Sequence, residues 1–170
     1  MVDRLKVFFV FGNMNLEFQR LFRKIRELDT CNKYEIIVQS GYSKVRDVGF
    51  RNSTFYPFLD KDNFIATIRS CDFIISHAGI WVITDSLVHN KVPIIMPRRS
   101  FFNEHIDDHQ VDFVERYKKE GIFRLIDDDV SIVEYLENIL PTERPKRRYV
   151  HDLSLLRIEI LKYIKTQLTL

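Results

Sequence analysis

Cysteine is almost absent from this chain: Cys31 and Cys71 stand alone among 170 residues, with no CxxC and no metal-type partner close by in sequence. That excludes a disulfide framework and a zinc ribbon, and both are expected to be free buried thiols of a reducing compartment. A surplus of charge is missing as well. The formal net charge is only +2, which removes the strongly basic face that a nucleic-acid partner needs. The apolar run at the N-terminus, Val7–Phe11, is only five residues long and has no small-residue cleavage site before Gly12. It reads as a first strand and not as a signal peptide. Internal repeats and low-complexity segments are absent. With 45% hydrophobic and 29% charged residues, disordered and membrane classes drop out, and one domain with a real core is expected.

What is present alternates between two kinds of pattern. Buried-strand runs occur at Leu5–Phe11, Tyr34–Gln39, 73–75, Val92–Met96 and Ile122–Ile126, with a weaker extended piece at Ser53–Phe58. Between them lie helical spacings: Phe18-Leu21-Phe22-Ile25-Leu28 within Asn15–Asp29, and Phe64-Ile65-Ile68 after the N-cap candidates Asp60–Asn63. Further helices are expected from about Ile80 to Val88, from about His105 to Glu120 with Gly121 as its C-cap, and after Asp127–Asp129 through Leu140. The order β-α-β-β-α-β-α-β-α-β-α predicts an α/β fold with a doubly wound, mostly parallel sheet. Residues 1–140 would form this domain. A Pro-broken basic linker, 141–151, would lead to an amphipathic C-terminal helix over 152–170, with Leu153, Leu156, Ile160, Tyr163, Ile164 and Leu168 on one stripe.

Chemistry concentrates in residues 72–110. The run Phe73-Ile74-Ile75 stops at Ser76-His77-Ala78-Gly79, small turn-permissive residues that open a helix. A strand feeding a helix through such a turn leaves backbone N–H groups free at the positive end of the helix dipole, which suits a phosphate. A second strand exit, after Met96, lies on the same sheet edge, where ligands of open α/β sheets bind.

The pattern Ile-Ser-His-Ala-Gly, an acidic residue six positions later, Pro-Ile-Ile-x-Pro-Arg, and Asn103-Glu-His-x-x-Asp-His-Gln110 resembles the C-terminal, donor-binding half of inverting GT-B glycosyltransferases of the family 28 type. That family includes small bacterial capsule and exopolysaccharide transferase subunits, the catalytic subunit of the eukaryotic dolichol-linked UDP-GlcNAc transferase, and MurG. The resemblance implies a single Rossmann-like GT-B half-domain. It implies that Gly12, Asn13, His77, Ala78 and Gly79 line the diphosphate of a UDP-sugar, that Asp85 takes the ribose hydroxyls, and that His109 and Gln110 reach the sugar. Arg98, Glu104 and His105 would form the adjoining loop, Arg98 on the donor and Glu104 or His105 as general base for the acceptor hydroxyl. No cofactor and no metal are implied, since backbone amides and cations can neutralise a departing diphosphate. The acceptor would be a lipid-linked saccharide, bound by a second, membrane-anchored subunit, with this chain on the cytoplasmic face. Homo-oligomerisation is left open.

Other roles exist for several of these residues. His77 can be a hydrogen-bonded structural histidine, and Asp85 an exposed carboxylate. His105 and His109, four apart on an expected helix, have the spacing of zinc ligands, but no third ligand at a convincing spacing accompanies them. Ile80-Trp81-Val82 are bulkier than the residues relatives place at the helix start, and Trp81 is expected in the core. If they fill the site, the chain is instead a non-catalytic scaffold or regulatory subunit. An NAD-type oxidoreductase is disfavoured, because Gly12-Asn13-Met14-Asn15 lacks the GxGxxG spacing.

Overall fold

A computed structural model describes residues 4–44 and 49–139; the linker and C-terminal helix expected beyond Leu140 lie outside the described residues. The elements are β1 (Leu5–Val10), α1 (Gln19–Asp29), β2 (Tyr34–Gln39), β3 (Ser53–Tyr56), α2 (Lys61–Ser70) and β4 (Phe73–Ser76), followed by α3 (Ile80–Val88), β5 (Ile94–Ile95), a 3-10 turn (Ser100–Phe102), α4 (His109–Tyr117), β6 (Arg124–Leu125) and α5 (Ile132–Ile139). The six strands form one sheet in the order β3-β2-β1-β4-β5-β6. Every pairing is parallel.

The strands are apolar throughout because both faces are covered. On β1, Val7 and Phe9, continued by Phe11, point into a layer shared with Leu21, Ile25 and Leu28 of α1 and with Ile132 and Leu136 of α5. Phe8 and Val10 point the other way, onto Ile68 of α2, Val82 and Ile83 of α3, and Phe113 of α4. Alternation along one strand therefore builds two cores.

The chain winds outward from β1 in two directions, through β2 and β3 on one side and from β4 through β5 and β6 on the other. The crossover between the halves lies between β1 and β4, whose register pairs Val10 with Ser76. At such a switch point the loops diverge and open a crevice at the carboxyl ends of the strands.

Several boundaries differ from the sequence expectation. α1 starts at Gln19 and not at Asn15, with Phe18 in a non-helical conformation at its N-cap. α4 starts at His109 and not at His105, because Asn103 adopts a left-handed φ of 55° and residues 103–108 form turns and bends. Gly121 (φ 68°) follows α4 in the turn beyond it. Asp60 caps α2 as expected, accepting from the Asn63 amide at 2.8 Å. Asp127–Asp129 do not cap α5; Ser131 Oγ does, accepting from the Glu134 amide at 3.4 Å. β5 and β6 are two-residue strands, shorter than their apolar runs.

Phe9 is fully buried at the centre of the α1 side. Phe9→Ala should cost about 3–5 kcal/mol in urea unfolding, whereas Val88→Ala, at a site 53% exposed, should stay within about 0.5 kcal/mol.

Candidate functional site

Between the exits of β1 and β4 lies a cleft of about 350 Å³. Asn13 and Met14 come from the β1 exit, His77 to Trp81 from the turn into α3, and His105, His109, Gln110 and Phe113 from the segment entering α4. Thus 7 of the 11 site residues expected from sequence share one cavity; Gly12, Asp85, Arg98 and Glu104 do not line it.

His77 sets the spacing of the two loops. Its Nδ1 lies 3.1 Å from Ser76 Oγ and 3.4 Å from the Val10 carbonyl. Burial first, and then the Arg98 charge, push its pKa down to about 4, so the ring is neutral near pH 7. A Cβ on either Gly12 or Gly79 would come within 3.0 Å of the imidazole. Gly12 also takes a φ of 81°. Both glycines are therefore required by the ring wedged between them.

The α3 N-terminus opens onto the cleft. Gly79 is the N-cap, in an extended conformation and with no side-chain cap, so the dipole end and first amides face the cavity. The bulky residues that follow divide their directions. Val82 is 3% exposed, in the α2–α4 core, and Ile80 packs partly against it. Trp81, expected in the core, is instead 67% exposed and forms part of the cleft wall. The reason is helix phase: Val82, Ile83, Ser86 and Leu87 occupy the buried face, leaving positions 81, 85 and 88 on the outer one. Asp85 accordingly lies one turn beyond Trp81, half-buried and outside the cleft lining.

Gln110 ties the two strand exits together. It is 5% exposed, and its Oε1 accepts from the Ala78 amide at 3.2 Å and from the Arg98 amide at 3.1 Å. Its carbonyl end is committed to holding the turn, although the side chain borders the cleft.

Two of the expected site residues turn away from the cleft into internal contacts. Arg98 is fully buried: Nη1 donates to the Leu16 and Glu104 carbonyls at 2.9 Å, and Nη2 to the Phe11 carbonyl at 2.8 Å. Burial lowers its pKa to about 10, which leaves a cation at pH 7, but that cation braces the β1 exit loop and does not face the cleft. Glu104 is 2% exposed and forms a forked ion pair with Arg20. Its Oε2 also accepts from the Arg99 amide at 3.2 Å. A carboxylate so held is no proton acceptor for a ligand in the cleft. His105, by contrast, does reach the cleft. Burial, followed by the neighbouring His109, lowers its pKa.

Arg20 is the residue that sequence reasoning missed. With Lys24, whose Nζ donates to the Asp128 and Val130 carbonyls at 2.7 and 2.6 Å, it stands on the buried stripe of α1. Cations at core positions of an amphipathic helix were the available signal. Asp107 was missed too; it sits between His105 and His109.

The sequence matches the model of the glycosyltransferase family 28 C-terminal domain over residues 7–148. The chain belongs to this family. No curated protein matches it. Among solved structures, the calicheamicin glycosyltransferase CalG4 superposes with a TM-score of 0.66 at 15% identity, covering 96% of this chain and 43% of that one. MurG of Acinetobacter baumannii gives 0.56 at 20% identity, covering 90% and 46%. ALG13, solved by NMR, gives 0.57 at 19% identity, covering 91% and 95%. The family 28 chain described here thus spans less than half of CalG4 and MurG but nearly all of the ALG13 chain. Its fold is one GT-B half: among the described residues, an all-parallel six-stranded sheet with five α-helices.

Two outcomes follow for this site. Glu104→Ala leaves Arg20 buried and unpaired and should cost about 3–5 kcal/mol in urea unfolding, most of it recovered by the double change Arg20→Met with Glu104→Leu. His77 has a folded pKa of about 4 against about 6.5 unfolded, so the unfolded state binds the extra proton between those values. Stability should be fully present above pH 6.5 and fall by roughly 1–3 kcal/mol towards pH 4; His77→Gln should flatten that part of the profile.

Proposed function

We propose that this family 28 domain is the donor-binding, catalytic subunit of an inverting glycosyltransferase that moves a sugar from a UDP-sugar to a lipid-linked saccharide, in partnership with a second, acceptor-binding chain. The observation that carries the reading is the uncapped N-terminus of α3 at the β1–β4 switch point. The amides there offer a diphosphate hydrogen bonds, and no carboxylate lines the cleft to compete with it.

In this reaction an acceptor hydroxyl oxygen attacks the anomeric carbon from the face opposite the diphosphate. The bond from that carbon to the phosphate oxygen breaks, UDP leaves with the electron pair, and the hydroxyl proton passes to a base. Glu104 is occupied by Arg20, whereas His105 reaches the cleft with Asp107 at its Nδ1 and serves in this scheme as the proton acceptor on this chain. The second chain supplies the surface for the acceptor. The overlap with nearly all of the ALG13 chain and less than half of MurG supports a donor half whose acceptor-binding half lies outside the described residues. Among the described residues no helix is long and apolar enough to cross a membrane; in this scheme the partner brings the lipid-linked acceptor. In this scheme Asp85 meets the ribose and His109 the sugar. On the division read from the sequence, 1–140 binds the donor, and the segment beyond the linker 141–151 docks the partner.

A non-catalytic scaffold would require Ile80, Trp81 and Val82 to fill the cleft. Val82 is in the core, Ile80 packs partly there and Trp81 stands at the wall, which favours the binding reading.

UDP should stabilise the purified chain in a thermal melt, by about 2.7 kcal/mol at 100 times its dissociation constant. Asp85→Ala should remove most of that shift while leaving the melt without UDP within a few degrees. A melt indifferent to UDP would exclude the donor-site reading.

A further inference from the structure

The wall of the cleft carries a second group of converging donor atoms. His105, Asp107 and His109 each place one ligand-type atom within 4.8 Å of the others. His105 Nδ1 lies 3.0 Å from Asp107 Oδ1, and His109 Nδ1 lies 2.5 Å from the same oxygen. The two rings meet edge-on with centroids 4.4 Å apart. No helical register produces this arrangement, because α4 begins only at His109; the turn over residues 103–108 supplies the third ligand that spacing did not reveal.

The segment bearing these groups is fixed at both ends. Glu104 is held by Arg20, and Asp108 accepts from the Ser100 amide and hydroxyl at 2.8 Å. Asp107 Oδ1 thus stands between the two imidazole nitrogens, the position from which a carboxylate shares a cation with both rings.

We propose that His105, Asp107 and His109 bind a borderline divalent transition cation of the zinc class. Two imidazoles and one carboxylate form the N/N/O donor set that such ions take, and three protein ligands leave a coordination position open. Because His105 and His109 both line the cleft, that position is available to a ligand lying there. The site shares His109 with the donor reading, but its metal-binding test does not depend on that reading.

The test titrates Co2+, a spectroscopic stand-in for zinc, into metal-stripped full-length protein and follows visible absorption, then competes with Zn2+. One saturable equivalent, displaced by Zn2+, is expected. Affinity should fall at least about tenfold, the loss that even a residue supporting a metal ligand brings, in each of Asp107→Asn and His109→Gln. Both positions are partly exposed, so both variants should fold, as circular dichroism will verify. His89→Gln, outside the group, should bind as the parent does. Absence of saturable binding, or binding that survives either Asp107→Asn or His109→Gln undiminished, overturns the proposal. The UDP melt, run in chelator, reports the donor site separately, so the two readings fail independently.

Discussion

The buried pair of Arg20 with Glu104 is the constraint on which this structure's site rests. β5 has only two residues paired with β4, and such a short ladder cannot by itself fix the long excursion that follows it. Position is supplied instead by ions inside the fold. Arg20 reaches from α1 to Glu104 and to the Pro97 carbonyl at 2.7 Å, and Arg98 reaches back to the Phe11 and Leu16 carbonyls. Together they tie the exit of β1 to the exit of β5, on either side of the cleft. A buried ion pair adds little net stability over an apolar one of equal volume, but breaking it is expensive. Here it serves to hold two loops in one geometry.

Within that frame no carboxylate lines the cleft: Glu104 is turned away into its pair, and Gln110 spends its carbonyl on the Ala78 and Arg98 amides. The α3 N-terminus faces the cavity beside His105 and His109. Gly12 and Gly79 have no Cβ because the His77 imidazole occupies that space. The glycines that a phosphate reading singles out are thus explained by a histidine wedged between the two turns.

The sheet was legible in the sequence because both of its faces are buried: β2 spans the residues its apolar run marks, and α3 begins at the small-residue turn. The fold class and the family 28 resemblance followed from residues 74–110. The ends of α1 and α4 were less legible, since Phe18 and His105 continue an apolar or periodic pattern into segments whose backbone turns away from the helix. Side-chain roles were read least well. Arg98 and Glu104 look like ligands for a substrate in a one-dimensional motif, and only tertiary packing shows that each meets its counterpart inside the protein. Trp81 failed for a related reason: residue type suggested the core, and helix phase put it at the cleft wall.

The central claim is that a nucleoside diphosphate sits on the α3 N-terminus. Amide chemical-shift mapping of the labelled protein during a UDP titration tests it most directly. The account predicts saturable shifts at the Asn13, Ile80, Trp81 and Val82 amides, with the β3 edge unmoved. Shifts absent from those four, or confined to the surface around Asp127–Asp129, would contradict it.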